Sequence, residues 1–135
     1  ARCFVCGPDR AAGDGLRIFP GATDDGSRVA SPWWPDAWLA GDDGKVRRRY
    51  VWAALDCPSG WAYLHPGNRV AVLGQFAVHI TAPVPVEQDL VVVGWPIDDH
   101  GRKHHTGSAL FDCNGRPLAW AAATWFDVDP GSFNA

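Results

Sequence analysis

The sequence contains no methionine, only two tyrosines, and no histidine before position 65. It also has no excess of positive charge: 12 Lys+Arg stand against 15 Asp+Glu, a formal net charge of −3. A nucleic-acid binder ordinarily carries a basic face, so this balance argues against DNA or RNA as a partner. No apolar run approaches the roughly 20 residues that cross a bilayer. Even Leu90–Trp95 is cut short by Pro96 and Asp98, so no membrane partner is expected. A Gly-x-Ser-x-Gly elbow is missing, which argues against a Ser-His-Asp hydrolase although Asp56 and His65 are close in sequence. So is a glycine-rich phosphate loop of either standard spacing. Cys3-x-x-Cys6 is half of a zinc site, but no second Cys-x-x-Cys follows, and His100, His104 and His105 would serve only if the fold brought them to the N-terminus. The expectation is a pair of thiols and no metal.

What remains is an ordinary globular composition with one oddity. Hydrophobic residues are 47% of the 135, enough for a single domain over 1–135 with a real core, in which residues 1–14 form an N-terminal Cys-x-x-Cys arm. A domain of this size needs no disulfides, so its four cysteines fit a reducing cytoplasm. The oddity is eight tryptophans, with Trp33, Trp34, Trp38, Trp52 and Trp61 crowded into one stretch. They suit a pocket, a core or a subunit contact.

Turn chemistry at Asp24-Asp25-Gly26, Asp98-Asp99-His100-Gly101 and Asp112-Cys113-Asn114-Gly115 predicts three hairpins. They join Leu16–Pro20 to Arg28–Trp33, Leu90–Ile97 to Lys103–Asp112, and that strand to Leu118–Val128. Between Val70 and Ala82, Val70, Val72, Phe76, Val78, Ile80 and Ala82 share one face of a half-buried strand, and Gln75, His79 and Thr81 the other. Pro83-x-Pro85 ends it. Alanines in Leu118–Phe126 favour helix by propensity. The Asn-Gly turn before them and the alternation of Trp120, Thr124, Phe126 and Val128 argue for strand instead.

One segment reads as helix, about Val46 to Leu64, with Tyr50, Ala53, Ala54, Cys57, Trp61 and Leu64 at three- and four-residue steps and Asp42-Asp43 where an N-cap would be useful. Pro58 should kink it or divide it just after Asp56. Two strands, a helix and four strands make a two-layer α+β domain. Because Leu90–Trp95 is apolar on both faces, one face covers the helix and the other asks for a second subunit.

Asp56 is a carboxylate in an apolar helix, which is costly to bury. Either it caps a half-helix after the break, or it is a general base or nucleophile facing a cleft. Cys57 beside it is a poor nucleophile, since a neighbouring carboxylate raises a thiol pKa. Gly101-Arg102-Lys103 is either a solvated turn or a phosphate site.

The order of one helix and a meander, with Leu55-Asp56 followed by small residues, Gly101-Arg102-Lys103, Asp112-x-x-Gly115 and Ala119-x-Ala121-x-Ala123-Thr124-Trp125, resembles the hotdog-fold acyl-CoA thioesterases. The similarity is greatest to the branch that includes the phenylacetate-pathway thioesterases. Cys3-Phe-Val-Cys-Gly-Pro followed by Gly15-Leu16 is similar to the opening of uncharacterised members. The resemblance implies an antiparallel sheet of about six strands wrapped around one central helix. It also implies hydrolysis of an acyl-CoA to free acid and CoA, with Asp56 as base or nucleophile. Coenzyme A is then part of the substrate, with no other cofactor. Gly101, Arg102 and Lys103 would hold its phosphates, Trp52 or Trp61 would line the acyl pocket, and a homodimer or a dimer of dimers is expected. The family's His-Gly-Gly oxyanion segment is replaced by Arg48-Arg49-Tyr50, so the backbone N–H groups of Arg49 and Tyr50 at the helix start would have to serve. That departure opens the alternative of a binding protein that keeps the cleft without hydrolysis. A dehydratase on the same fold would want a histidine near the helix, and none precedes Asp56.

Overall fold

The computed structural model describes residues 2–64 and 70–133. All three turn sequences close antiparallel hairpins, and in each the glycine takes the positive φ that a tight reversal needs: Gly26, Gly101 and Gly115. The first hairpin is shorter than expected, pairing β1 (Gly21–Ala22) with β2 (Val29–Trp33). Leu16–Pro20 is not its strand. The N–H groups of Leu16 and Ile18 are instead donated to the carbonyls of Phe4 and Val5, so the N-terminal arm takes the bonds a sheet neighbour would have taken. Gly15 makes that possible, because a Cβ there would sit 2.6 Å from the Phe4 carbonyl oxygen.

Helix α1 (Arg48–Leu64) comes next, followed by β3 (Ala71–Ile80), β4 (Leu90–His100), β5 (Lys103–Phe111) and β6 (Pro117–Asp127). The β4–β5 turn is only Gly101-Arg102, which leaves Asp98 and Asp99 inside β4, opposite His105 and His104. The alanine-rich segment is strand as expected. Ala119, Ala121 and Ala123 turn inward and are buried, while Trp120 is on the outer side.

Strand β3 departs from simple alternation. A bulge between Leu73 and Gln75 shifts the phase, so Phe76, Val78 and Ile80 face the core but Val70 and Val72 are each 39% exposed rather than sharing that face. The bulge falls at Gly74, where a Cβ would lie 2.3 Å from the Phe126 ring.

The strands form one antiparallel sheet in the order β1-β2-β4-β5-β6-β3, wrapped around α1 in a hotdog fold. Val51 and Leu55 of the helix are buried against Leu90, Val92 and Leu110 of the sheet. Two expectations about the helix fail. Asp42-Asp43 does not cap it, because the Asp43 carboxylate accepts the Lys45 N–H in a turn that closes before the helix begins. Nor does Pro58 divide it: α1 runs unbroken for 17 residues. Side-chain donors meet the helix carbonyls just before the proline, the Ser108 hydroxyl donating to Leu55 O (2.7 Å) and the Ser59 hydroxyl to Asp56 O (2.7 Å). The N–H that Pro58 lacks would have met the Ala54 carbonyl, so these hydroxyls do not replace it; they tie the next two carbonyls to β5 and to Ser59. Among the described residues no helix is long and apolar enough to cross a membrane.

Candidate active site on the central helix

Seven residues are close to two helical turns, so Arg49, Asp56 and Tyr63 lie in line on one face of α1, turned away from Val51 and Leu55. Asp56 is half-buried there, and its carboxylate makes no hydrogen bond among the described residues. In particular, no N–H of Ser59 or Gly60 caps it, so the capping alternative has no bond behind it. Burial raises the Asp56 pKa above the ordinary carboxylate value, and the nearby Cys6 charge adds to the rise.

Its backbone is held more firmly than its side chain. Trp125 Nε1 donates to the Ser59 hydroxyl at 3.0 Å, and that hydroxyl donates onward to the Asp56 carbonyl. Gly60 leaves room for the Trp125 ring, which a Cβ would approach to 3.0 Å. Gly94 on β4 does the same for Pro58, whose carbonyl oxygen would be 2.2 Å from a Cβ. Ser59, Ser108, Trp125 and Gly94 are therefore positioning residues that sequence reasoning missed.

Trp52 and Trp61 sit to either side of Asp56 on the helix. Trp52, 39% exposed, meets Phe76 of β3 edge-on at 5.7 Å between centroids. Trp61, 38% exposed, lies near Cys6 of the arm. Phe4 of the arm joins Trp38 and Tyr50 in an aromatic cluster at the start of the helix.

The arm also delivers two thiols. The sulfurs of Cys3, Cys6 and Cys57 all lie within 4.8 Å of one another, with Cys3 and Cys57 at 3.5 Å. Donation from Cys57 is the main reason that the Cys6 pKa falls to about 5 against the opposing effect of burial. Cys57 is pushed up in turn, chiefly by Cys6 and then by burial. The expected direction for Cys57 holds, but its cause is the neighbouring thiols rather than Asp56. The histidines considered as zinc ligands are engaged elsewhere. His104 is bonded to Asp99 (2.6 Å) and Asp127 (3.0 Å) with Tyr63 stacked on its ring, and His100 and His105 group with Asp98. His65 lies outside the described residues.

At the helix start, the Tyr50 N–H is already donated to the Arg47 carbonyl at 2.9 Å. Arg48 and Arg49 therefore retain the first-turn N–H groups that have no acceptor within the helix. The Arg49 guanidinium lies over the Tyr50 ring, 4.8 Å from its centroid. Gly101, Arg102 and Lys103 are exposed at the opposite end of α1, next to His104. Arg102 spends Nε and Nη2 on the Asp127 carbonyl (3.0 and 2.9 Å), while Lys103 stands exposed. Asp56 lines none of the principal hollows of the described chain. One hollow beside the helix start is lined by Arg48, Val51 and Ile80, and another lies on the outer face of the sheet around Gln75, Asp98 and His105.

No family model matches the chain, and no curated protein matches its sequence. Solved structures match its fold. A thioesterase superfamily protein superposes with a TM-score of 0.80 at 19% identity, over 90% of this chain and 61% of that one, so this chain spans under two thirds of that protein's length. The PaaI protein of the phenylacetic acid degradation operon of E. coli gives 0.75 at 11% identity, covering 90% of this chain and 86% of its own. A Streptococcus mutans protein solved bound to acetyl CoA gives 0.74 at 14%, covering 91% and 96%. The fold is therefore the hotdog fold, which these solved structures share.

Proposed function

We propose that this protein hydrolyses an acyl-CoA thioester to a free acid and CoA, with Asp56 as general base or nucleophile. The observation that carries the reading is the Asp56 carboxylate: half-buried, without a hydrogen-bond partner among the described residues, one turn from Trp52, on a backbone pinned by Ser59 and Trp125. Acting as base, the carboxylate takes a proton from water, the hydroxide oxygen bonds to the thioester carbon, and the tetrahedral oxyanion collapses with loss of the CoA thiolate, which regains the proton. First-turn N–H groups stabilise the oxyanion. The exposed Trp52 and Trp61 offer an apolar wall for the acyl group, and Arg102 with Lys103 supplies charge for the CoA phosphates. The S. mutans protein bound to acetyl CoA supports a ligand of this class.

The distance of Asp56 from its own helix start favours a site built from two subunits. Arg49 is about 10 Å along α1 from Asp56. Direct attack allows ~3.2 Å from carboxylate to carbonyl carbon, ~1.2 Å for the carbonyl bond and ~3 Å to an N–H donor, together about 7 Å. An intervening water lengthens the chain, but a bent attack trajectory cannot use its full length. The shortfall, reduced by the reach of the Asp56 side chain, supports a reading in which the helix start of a second copy serves Asp56. The ten-residue β3, at the edge of the sheet with no described neighbour beyond it, offers backbone pairing for such a dimer. We place the protein in the cytoplasm, where its four free cysteines remain reduced.

One observation favours the alternative of a non-catalytic CoA or hydrophobic-ligand binder. The helix start carries Arg48, Arg49 and Tyr50, and the Tyr50 N–H is already taken. Free-thiol release from a panel of short, aryl and long-chain acyl-CoAs, run beside calorimetric CoA binding, separates the two. Turnover of any member supports hydrolysis, and CoA binding with no turnover on the whole panel supports the binder.

A further inference from the structure

Three cysteines far apart in sequence meet at one point, and nothing in the proposed hydrolysis uses them. Cys3 and Cys6 sit on a turn of the arm closed by the Gly7 N–H donating to the Cys3 carbonyl at 2.9 Å, and Cys57 comes from the middle of α1. We propose that Cys3, Cys6 and Cys57 together bind one zinc-class divalent ion that fastens the N-terminal arm to the central helix.

The geometry is that of a thiolate metal site rather than of a thiol cluster in a core. Tetrahedral zinc holds sulfur at about 2.3 Å, which separates two ligating sulfurs by about 3.8 Å. Cys3 and Cys57 are 3.5 Å apart, and all three sulfurs fall within 4.8 Å of one another, so an ion at their centre needs only small side-chain rotations. The Cys-x-x-Cys spacing on a tight turn suits two ligands of one ion. Three soft sulfur donors select zinc over magnesium or calcium, which take oxygen. Among the described residues no fourth His, Cys, Asp or Glu atom joins the cluster, so the fourth position is left for water or an added donor.

Binding also fits the burial pattern. Val5 in the core and Phe4 against Trp38 and Tyr50 seat the arm, but Cys3 is exposed and Cys6 half-buried, so the cysteine turn itself is left at the surface. An ion ligated from both sides ties arm to helix at the residue next to Asp56. The cysteines still protonated give up their protons on ligation, so binding releases protons and stabilises the fold. This inference rests on the cysteine geometry and not on hydrolysis by Asp56, and it survives if the protein proves to be a binder.

The test measures metal directly. The full chain, purified under reducing conditions without added chelator, is assayed for zinc, then stripped and titrated with zinc or cobalt(II). The expected result is one ion per chain, an intense thiolate-to-cobalt charge-transfer absorption with tetrahedral cobalt bands, and a melting temperature that falls on chelation and recovers with zinc. Cys3→Ser and Cys6→Ser, whose positions on the arm leave the sheet and helix intact by circular dichroism, should each weaken zinc binding at least about 100-fold. Cys113→Ser, in the exposed β5–β6 turn, should bind as the parent does. Fully reduced protein with neither zinc nor cobalt absorption overturns the proposal. So does a Cys3–Cys57 disulfide in freshly prepared protein, or an equal loss of zinc in Cys113→Ser and Cys3→Ser.

Discussion

The closest approach of helix to sheet gives the sharpest mechanical prediction. Gly94 of β4 faces the Pro58 carbonyl, and a Cβ placed there would be 2.2 Å from its oxygen and 2.7 Å from its carbon. Both atoms belong to the backbone of α1, so no side-chain rotation relieves the clash. In Gly94→Ala the helix must move off the sheet by about 1 Å to restore van der Waals contact. That shift opens the packing of Leu55 against the sheet and stretches the Ser108–Leu55 bond, so the expected loss is about 3 kcal/mol of stability. At about 4 °C per kcal/mol for a domain of this size, the melting temperature should fall by about 12 °C. Turnover should drop further than folding accounts for, since an ~1 Å displacement of a reacting group can cost about 100-fold. The assay is calorimetric or circular-dichroism melting, with Gly21→Ala as control because nothing lies within 4 Å of its added methyl. If Gly94→Ala melted within about 2 °C of the parent, corresponding to the ±0.5 kcal/mol of a bland surface change, the argument that Gly94 seats the helix would be wrong.

Three further outcomes follow from the same geometry. Burial alone would lower the His104 pKa, but its bonds to Asp99 and Asp127 more than offset that and leave it raised above 6.5. The stabilisation from these bonds is therefore complete below the unfolded value and lost as pH rises through the folded one, so the melting-temperature advantage of the parent over His104→Asn should shrink on going from about pH 6 to about pH 9. An advantage that grew with pH would contradict it. Arg102→Ala with Lys103→Ala should weaken CoA binding roughly fivefold for each charge, and added salt should weaken the parent in the same direction, whereas unchanged calorimetric affinity would return both residues to a turn role. Light scattering should give a dimer or a dimer of dimers at micromolar concentration, and a stable monomer would remove the two-subunit site.

Much of the architecture was legible because local chemistry and global fold agree. The glycine turns, the proline stop after β3, the apolar run of β4 and the alternation of β6 each point to one element, and their order gives the sheet and helix. The misreadings fall where tertiary contacts override local pattern. Period-two counting placed Val72 with Phe76, but Gly74 absorbs a residue in a bulge under the Phe126 ring, and nothing local announces that ring. Propensity predicts a kink or a division at Pro58; the division fails, since α1 is continuous, and Ser108, which bonds the Leu55 carbonyl, is a strand residue some fifty positions away. Leu16–Pro20 looked like a strand, but Arg17 takes a positive φ, Leu16 and Ile18 bond to the arm, and the Phe19 N–H goes to the Ser31 hydroxyl. In the site, Asp56 stood out as a carboxylate in an apolar run. The thiol cluster did not, because Cys57 is separated from Cys3 by 54 positions and only the fold joins them.

The central claim is that the Asp56 carboxylate performs chemistry. Asparagine keeps its shape and hydrogen-bonding size while removing the base, and general-base assistance is typically worth about 10²–10⁴-fold. The direct measurement is free-thiol release by the parent and by Asp56→Asn on the best acyl-CoA of the panel, with CoA affinity determined for both by calorimetry. The account predicts at least roughly a 100-fold loss of turnover in Asp56→Asn with CoA affinity retained. Turnover by Asp56→Asn at the parent's rate would contradict it.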